Sequence, residues 1–304
     1  MPDPTADAIA ALAHELDLRV TVHAADIDGT DEWGLGADDL VVTASIFKVP
    51  VLVELARQAA TGRLALTDRV RVPADFMRTD GGTGLSLMLD DVEMSLRDLA
   101  LLMMSVSDNR ATDIVMDILG LDAINGTIAR FGLIDTIVTD DCRGLFATIA
   151  GDLGEEFTDE LLHTDDPVMA ARIDSMRVLD AQQTTHSTPR ETTALLGAVW
   201  RDEVIGPVAA AEVRRILGLQ AWPHRLMSGF PDSRVRVSAK TGTMAHVRNE
   251  AGVIEHPDGT RIAVAVFVRT ATPEPRNPDA DRAIGTVGAL AAERIRSMRG
   301  RSAR

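Results

Sequence analysis

The chain has 304 residues, of which 45% are hydrophobic and 25% charged, values at the globular average that allow a sizeable core and exclude a disordered or low-complexity protein. A formal net charge of −15 opposes approach to nucleic acid or to an anionic membrane, so neither is an expected partner. No apolar run reaches the roughly 18 residues that crossing a bilayer requires, and MPDPTADAIAALAHELDLR carries no basic segment ahead of an apolar one. A cytoplasmic protein is expected, or a secreted one if this N-terminus stands in for a trimmed leader. The lone Cys142 excludes an intrachain disulfide and is expected to be a small core residue, compatible with either redox compartment.

Residues 7–16 place Ala, Ile and Leu at helical spacing, and RVTVHAA from Arg19 alternates like a strand. From Ser45 the pattern turns helical in SIFKVPVLVELARQAA, apolar on most faces and stopped before Gly62. A second helix starts at Ser95, whose hydroxyl can cap the amides of SLRD, and ends at the polar turn SVSDN. Helices follow over 111–119 and 122–131, closed by Gly120 and Gly132, and another opens at Thr188 with Pro189 in its first turn and Glu191 completing a capping box. Period-two alternation returns in RVRVSAK, EAGVIE and RIAVAVFV, the last two joined by the turn HPDG, before a closing helix over 281–298.

Strands therefore occupy both ends and helices the middle. This predicts a single unit of α/β (α+β) class: an antiparallel sheet flanked by helices and built from both termini, residues 1–43 plus 196–304, with an all-helical lobe over 44–195 inserted between.

Three short motifs carry chemistry: Ser45-Ile46-Phe47-Lys48, Ser107-Asp108-Asn109 and Lys240-Thr241-Gly242. On a helix, i and i+3 share a face, so the Lys48 amine can reach the Ser45 hydroxyl. Its apolar setting favours the neutral amine, the form that can take the proton a serine must lose before it attacks. The start of a helix also offers free amides and a positive dipole end to an oxyanion. In SAKTGTM, Gly242 leaves room for a substrate, the Thr243 amide is the candidate second oxyanion donor, and Lys240 supplies positive charge. In the interhelical loop, Ser107 can pass a proton to a leaving group, Asn109 can bind a substrate amide, and Asp108 is placed to brace the loop.

These motifs, in this order and on helix, loop and strand respectively, resemble those of the serine β-lactamase and penicillin-binding protein superfamily, specifically the class A β-lactamases. The resemblance spans nearly the whole chain. It implies Ser45 as the acylated nucleophile, Lys48 as base, Ser107 as proton relay, and Asn109 on the substrate. Lys240, Thr241 and Thr243 would face a carboxylate-bearing small molecule, with Arg248 near the position from which class A enzymes offer an arginine to that carboxylate. No cofactor and no metal are implied, and the seven histidines show no paired ligand spacing. His246, just after the third motif, is expected in a turn or at the surface. Oligomeric state is not legible.

The resemblance breaks at one place. Class A enzymes carry E-x-x-L-N in an Ω loop, whose glutamate activates the water that releases the acyl-enzyme, and nothing between Ser107 and Thr188 matches it. An acidic, helix-like stretch, DLGEEFTDELLHTDD, stands there instead. Glu155, Glu156, Glu160 and Asp174 are the available carboxylates, each expected to be surface charge. Class C enzymes use a tyrosine base, and this chain has no tyrosine. Formation of an acyl-enzyme on Ser45 is thus expected more firmly than its hydrolysis. The readings are a class A-like hydrolase opening a β-lactam or related amide or ester, a penicillin-binding-protein-like peptidase or transacylase, or a binding module that acylates once and holds the product.

Overall fold

The computed structural model describes residues 3–75 and 82–302. In chain order it contains α1 (Pro4–Glu15), β1 (Leu18–Asp26), β2 (Glu32–Leu35), β3 (Val41–Val42), a 3₁₀ turn at Ala44–Phe47, α2 (Lys48–Ala60), β4 (Arg69–Val72) and β5 (Val92–Ser95). Then come α3 (Leu96–Ser105), α4 (Asn109–Leu119), α5 (Leu121–Arg130), α6 (Cys142–Leu153), α7 (Pro167–Asp174) and β6 (His186–Ser187). The chain closes with α8 (Pro189–Trp200), α9 (Gly206–Leu217), β7 (Arg236–Met244), β8 (Val247–Glu255), β9 (Arg261–Thr270) and α10 (Pro278–Ser302).

One five-stranded antiparallel sheet, ordered β2-β1-β9-β8-β7, joins the two ends of the chain. β9 shows why its sequence is continuously apolar rather than alternating. Ile262, Val264, Val266 and Val268 pack with α1 and α10 on one face, and Ala263, Ala265 and Phe267 enter the core that includes α2 and the other central helices. A strand covered on both faces has no solvent side on which to place polar residues. β8 and β9 meet at the HPDG turn, where Gly259 adopts φ +86°.

This is the predicted mixed class, an antiparallel sheet flanked by helices with a helical body between its strands. The helical body also carries two short pairs, β3 with β6 and β4 with β5, too brief for an alternation to be read. Two local expectations are corrected. The acidic stretch after α6 is not a helix: Gly154 ends α6 in the left-handed conformation at φ +81°, and only a single 3₁₀ turn, Asp159–His163, follows. Thr188 does cap α8, accepting from the Glu191 amide at 3.1 Å, but the Glu191 carboxylate goes elsewhere. It accepts from the Ile134 amide at 2.7 Å, the Asp135 amide at 3.0 Å and the Thr136 hydroxyl at 2.5 Å, tying down the segment after α5.

α2 is the central post. Val51, Leu52, Val53 and Leu55 are all fully buried, each contributing roughly 1.5–3 kcal/mol of transfer free energy. A post so fixed holds the residues at its N-terminus still.

Candidate active site

Ser45 lies in the 3₁₀ turn immediately before α2, half-buried, with the regular helix beginning only at Lys48. Ala44 ahead of it sits at φ +43°, a conformation that costs a residue bearing a Cβ about 1–3 kcal/mol and is kept only where the surroundings enforce it. Asn249 of β8 supplies part of that enforcement. Its amide nitrogen donates to the carbonyls of Val42 at 2.9 Å and Thr43 at 3.3 Å, and its oxygen accepts from the Val268 amide at 3.2 Å. β7 closes in from the other side. A Cβ on Gly242 would lie 2.6 Å from the Thr43 carbonyl and 3.3 Å from the Ser45 amide nitrogen, so only glycine allows this approach.

Lys48 is fully buried, and its amine donates to Asn109 Oδ1 at 2.8 Å and to the Ser107 carbonyl and hydroxyl at 2.7 and 3.3 Å. Lys240, also fully buried, donates to the same Ser107 hydroxyl at 3.0 Å and to the Thr241 carbonyl at 2.8 Å. Residues from α2, the α3–α4 loop and β7 thus converge on one hydroxyl. Ser107 itself has φ +61°. Asp108 braces this loop, its carboxylate accepting from the amides of Leu85 at 2.6 Å and Ala111 at 2.9 Å. Asn109, expected on a substrate amide, has its oxygen engaged by Lys48.

Burial lowers the Lys48 amine from its ordinary value, partly offset by Asp108 and Asp113. Lys240 is driven well below the lysine range, first by burial and then by the neighbouring Lys48 charge. Two ammonium groups aimed at one oxygen repel, so the site favours releasing a proton from one of them. A neutral amine beside a serine is a general base.

The floor of the cleft beyond Lys240 is cationic. Arg225, 3% exposed, donates to the Gly242 carbonyl at 2.9 Å, the Asn249 carbonyl at 3.0 Å and the Thr243 hydroxyl at 2.7 Å, and pairs with Asp281 of α10 at 2.7 Å. Arg248, likewise 3% exposed, reaches the Glu274 carbonyl at 2.6 Å and lies 3.7 Å from Asp281. Ser107, Asn109, Thr241, Thr243, Arg225 and Arg248 all line one open cleft of about 630 Å³. A second cavity of about 590 Å³, between the sheet and residues 174–183, contains no residue of the three motifs.

Behind Lys48 the segment that follows the second motif delivers a thiol. The Cys142 amide donates to Asp113 Oδ1 at 2.7 Å, and its sulfur lies 3.5 Å from Asn109 Oδ1, the atom Lys48 also holds. Cys142 is buried as expected, and burial pushes its thiol up to about 12, so it stays protonated and is no base. Glu155, Glu156, Glu160 and Asp174 are all exposed. His246 departs from expectation: it occupies the β7–β8 turn but is buried, one ring nitrogen 3.0 Å from the Thr270 carbonyl and the other 2.8 Å from Asp174. That contact fastens the end of α7 to the turn and explains why Asp174 is there.

Sequence reasoning missed Arg225 and Glu250. Arg225 lies in AWPHRLMSG, where no motif marks it. Glu250 did leave a signal: a carboxylate inside the apolar strand EAGVIE, paired across from Thr241. It is fully buried, accepts from the Leu226 amide, and is raised by burial to about 7 against that hydrogen bond and the charges of Arg225 and Lys240.

Comparison with known proteins identifies the family to which the chain belongs. The family model described as the β-lactamase enzyme family matches residues 4–295. A β-lactamase regulatory protein, BlaB, of Streptomyces cacaoi is 27% identical over 93% of this chain and 95% of its own. Among solved structures, a β-lactamase from Sphaerobacter thermophilus is 25% identical with a TM-score of 0.76, each chain 96% covered. The structure of PBP-A is 19% identical with a TM-score of 0.73, again with 96% of each chain covered, and shares the fold.

Proposed function

Because this chain belongs to the β-lactamase enzyme family, we propose that it is a serine hydrolase-like protein whose Ser45 is acylated by a β-lactam or a related cyclic amide or ester. The observation that carries this reading is the convergence of two buried lysines on the Ser107 hydroxyl beside the turn that presents Ser45. Lys48, whose hold on its proton burial weakens, serves in its deprotonated form as the acceptor of the Ser45 proton as the oxygen attacks the carbonyl carbon. The oxyanion forms against the Ser45 turn and the facing β7 backbone. As the carbon–nitrogen bond breaks, Ser107 delivers a proton to the departing nitrogen and is resupplied through the lysines. Lys240, Thr241, Thr243 and the arginines behind them suit a substrate carboxylate.

A second reading, in which the protein holds its acyl group, is favoured by one observation. The side chain that reaches the Lys48–Asn109 pair from the segment after α5 is a neutral thiol, which cannot activate water. That the relative from Streptomyces cacaoi is named a regulatory protein is in keeping with it. Incubation with benzylpenicillin and a chromogenic cephalosporin, followed by intact mass and absorbance, separates the two. Sustained turnover supports the hydrolase, and a stable stoichiometric adduct supports the holding protein. Ser45→Ala is expected to remove the adduct completely. An adduct that survives in that variant would sink the assignment of the nucleophile.

A further inference from the structure

The cleft carries more positive charge than one carboxylate needs. Its described lining residues include four arginines, Arg225, Arg248, Arg276 and Arg282, against a single acid, Asp281. Asp281 is shared by Arg225 and Arg248, and Arg282 pairs with Asp279 on its own helix. Lys240, driven well below the lysine range, is not counted in that charge, and the Glu274 carboxylate offsets part of Arg248. Burial lowers the His224 ring, so it contributes little positive charge. Arg276 forms no ion pair among the described residues. It is exposed, and the loop that bears it is stitched to the cleft floor where Glu274 accepts from Arg248. On a chain with a net charge of −15, a local excess of this sign is against the average, and a concave site concentrates its field on an incoming anion.

Resting on the acyl-transfer reading above, we propose that the substrate carries a second anionic group on the leaving-group side of the scissile amide, and that Arg276 binds it at the rim. In a cephalosporin the ring carboxylate lies on that side, adjoining the C3 substituent. Thr241, Thr243 and Arg276 line the same cleft, so a ring carboxylate held at Thr241 and Thr243 would leave Arg276 in that cleft for the adjoining substituent. The ligand class is therefore dianionic cyclic amides, and Arg276 determines specificity without touching the reacting atoms.

Two cephalosporins with the same acyl side chain test this: ceftriaxone, whose C3 substituent is anionic, and cefotaxime, whose C3 substituent is neutral. Calorimetric titration of the Ser45→Ala protein measures their affinity without acylation. Ceftriaxone is expected to bind roughly three- to tenfold more tightly, as for a partly exposed ion pair. Raising ionic strength from about 50 to about 300 mM should narrow the gap. Adding Arg276→Gln, a change at an exposed position, should abolish it. Equal affinities, no binding of either compound, or a preference that survives Arg276→Gln would overturn the proposal. The acyl-transfer reading fails separately, if wild-type protein gives no Ser45 adduct with benzylpenicillin.

Discussion

The Ser107 hydroxyl accepts from two buried amines, an arrangement that is tolerable only because burial has already weakened the hold of each lysine on its proton. The residue types here were legible from local spacing, since a serine three positions ahead of a lysine at a helix start can be read in one dimension. Which partner each lysine chooses could not be read, because Ser107 and Asn109 arrive from a loop sixty residues on. Cys142 is the sharper case. As a lone buried cysteine it was legible only as core, and its place beside Asn109 depends on Asp113 of α4 holding its amide. Cys142→Glu places a carboxylate next to Lys48 and Asn109, where it can pair with the amine and polarise a water. If the protein holds its acyl group, this variant is expected to release it at least about tenfold faster, followed as loss of adduct by mass. Unchanged adduct lifetime in a folded variant would show that the thiol does not set it.

At the scale of elements, β7 is functional because it can come so close to the turn before α2. The K-T-G motif foretold a glycine for substrate access, whereas in the structure Gly242 makes room for the Thr43 carbonyl. Gly242→Ala forces the strand and the nucleophile turn apart. It is expected to cost about 1–3 kcal/mol in urea denaturation and roughly ten- to a hundredfold in the second-order rate of the proposed acylation, since a misplacement of about 1 Å can cost a hundredfold. An unaltered acylation rate would mean that this contact does not position Ser45. The strands and most helices were legible because both faces of β9 and the stripe of α2 are apolar. The acidic segment misled because its charge resembles a solvated helix, while its course is set by the stop at Gly154 and by the tie from His246 to Asp174.

Across the whole molecule, Glu250 links site chemistry to stability. Its carboxyl is raised to about 7 in the folded protein from an ordinary value of 4.5, so between those values the native state binds the extra proton. Stability from this group is present below about pH 4.5 and is lost as pH rises through about 7, by roughly 3 kcal/mol. Glu250→Gln should therefore show a smaller fall in urea-determined stability between pH 5 and 8 than wild type, and an identical fall in both would refute this.

The pairing of β1 with β9 runs the full length of the first strand, from Leu18 against Thr270 to Asp26 against Ile262. During synthesis, the apolar β1 must wait with an open edge until nearly the whole chain has emerged, a slow, non-local closure that exposes it to misassembly. The same delay is a safeguard. Asn249 and Gly242 reach the Ser45 turn only once those late strands are paired, so a chain stalled before they pair would hold Ser45 without the neighbours that fix its turn, and the acylation proposed above would need the finished sheet.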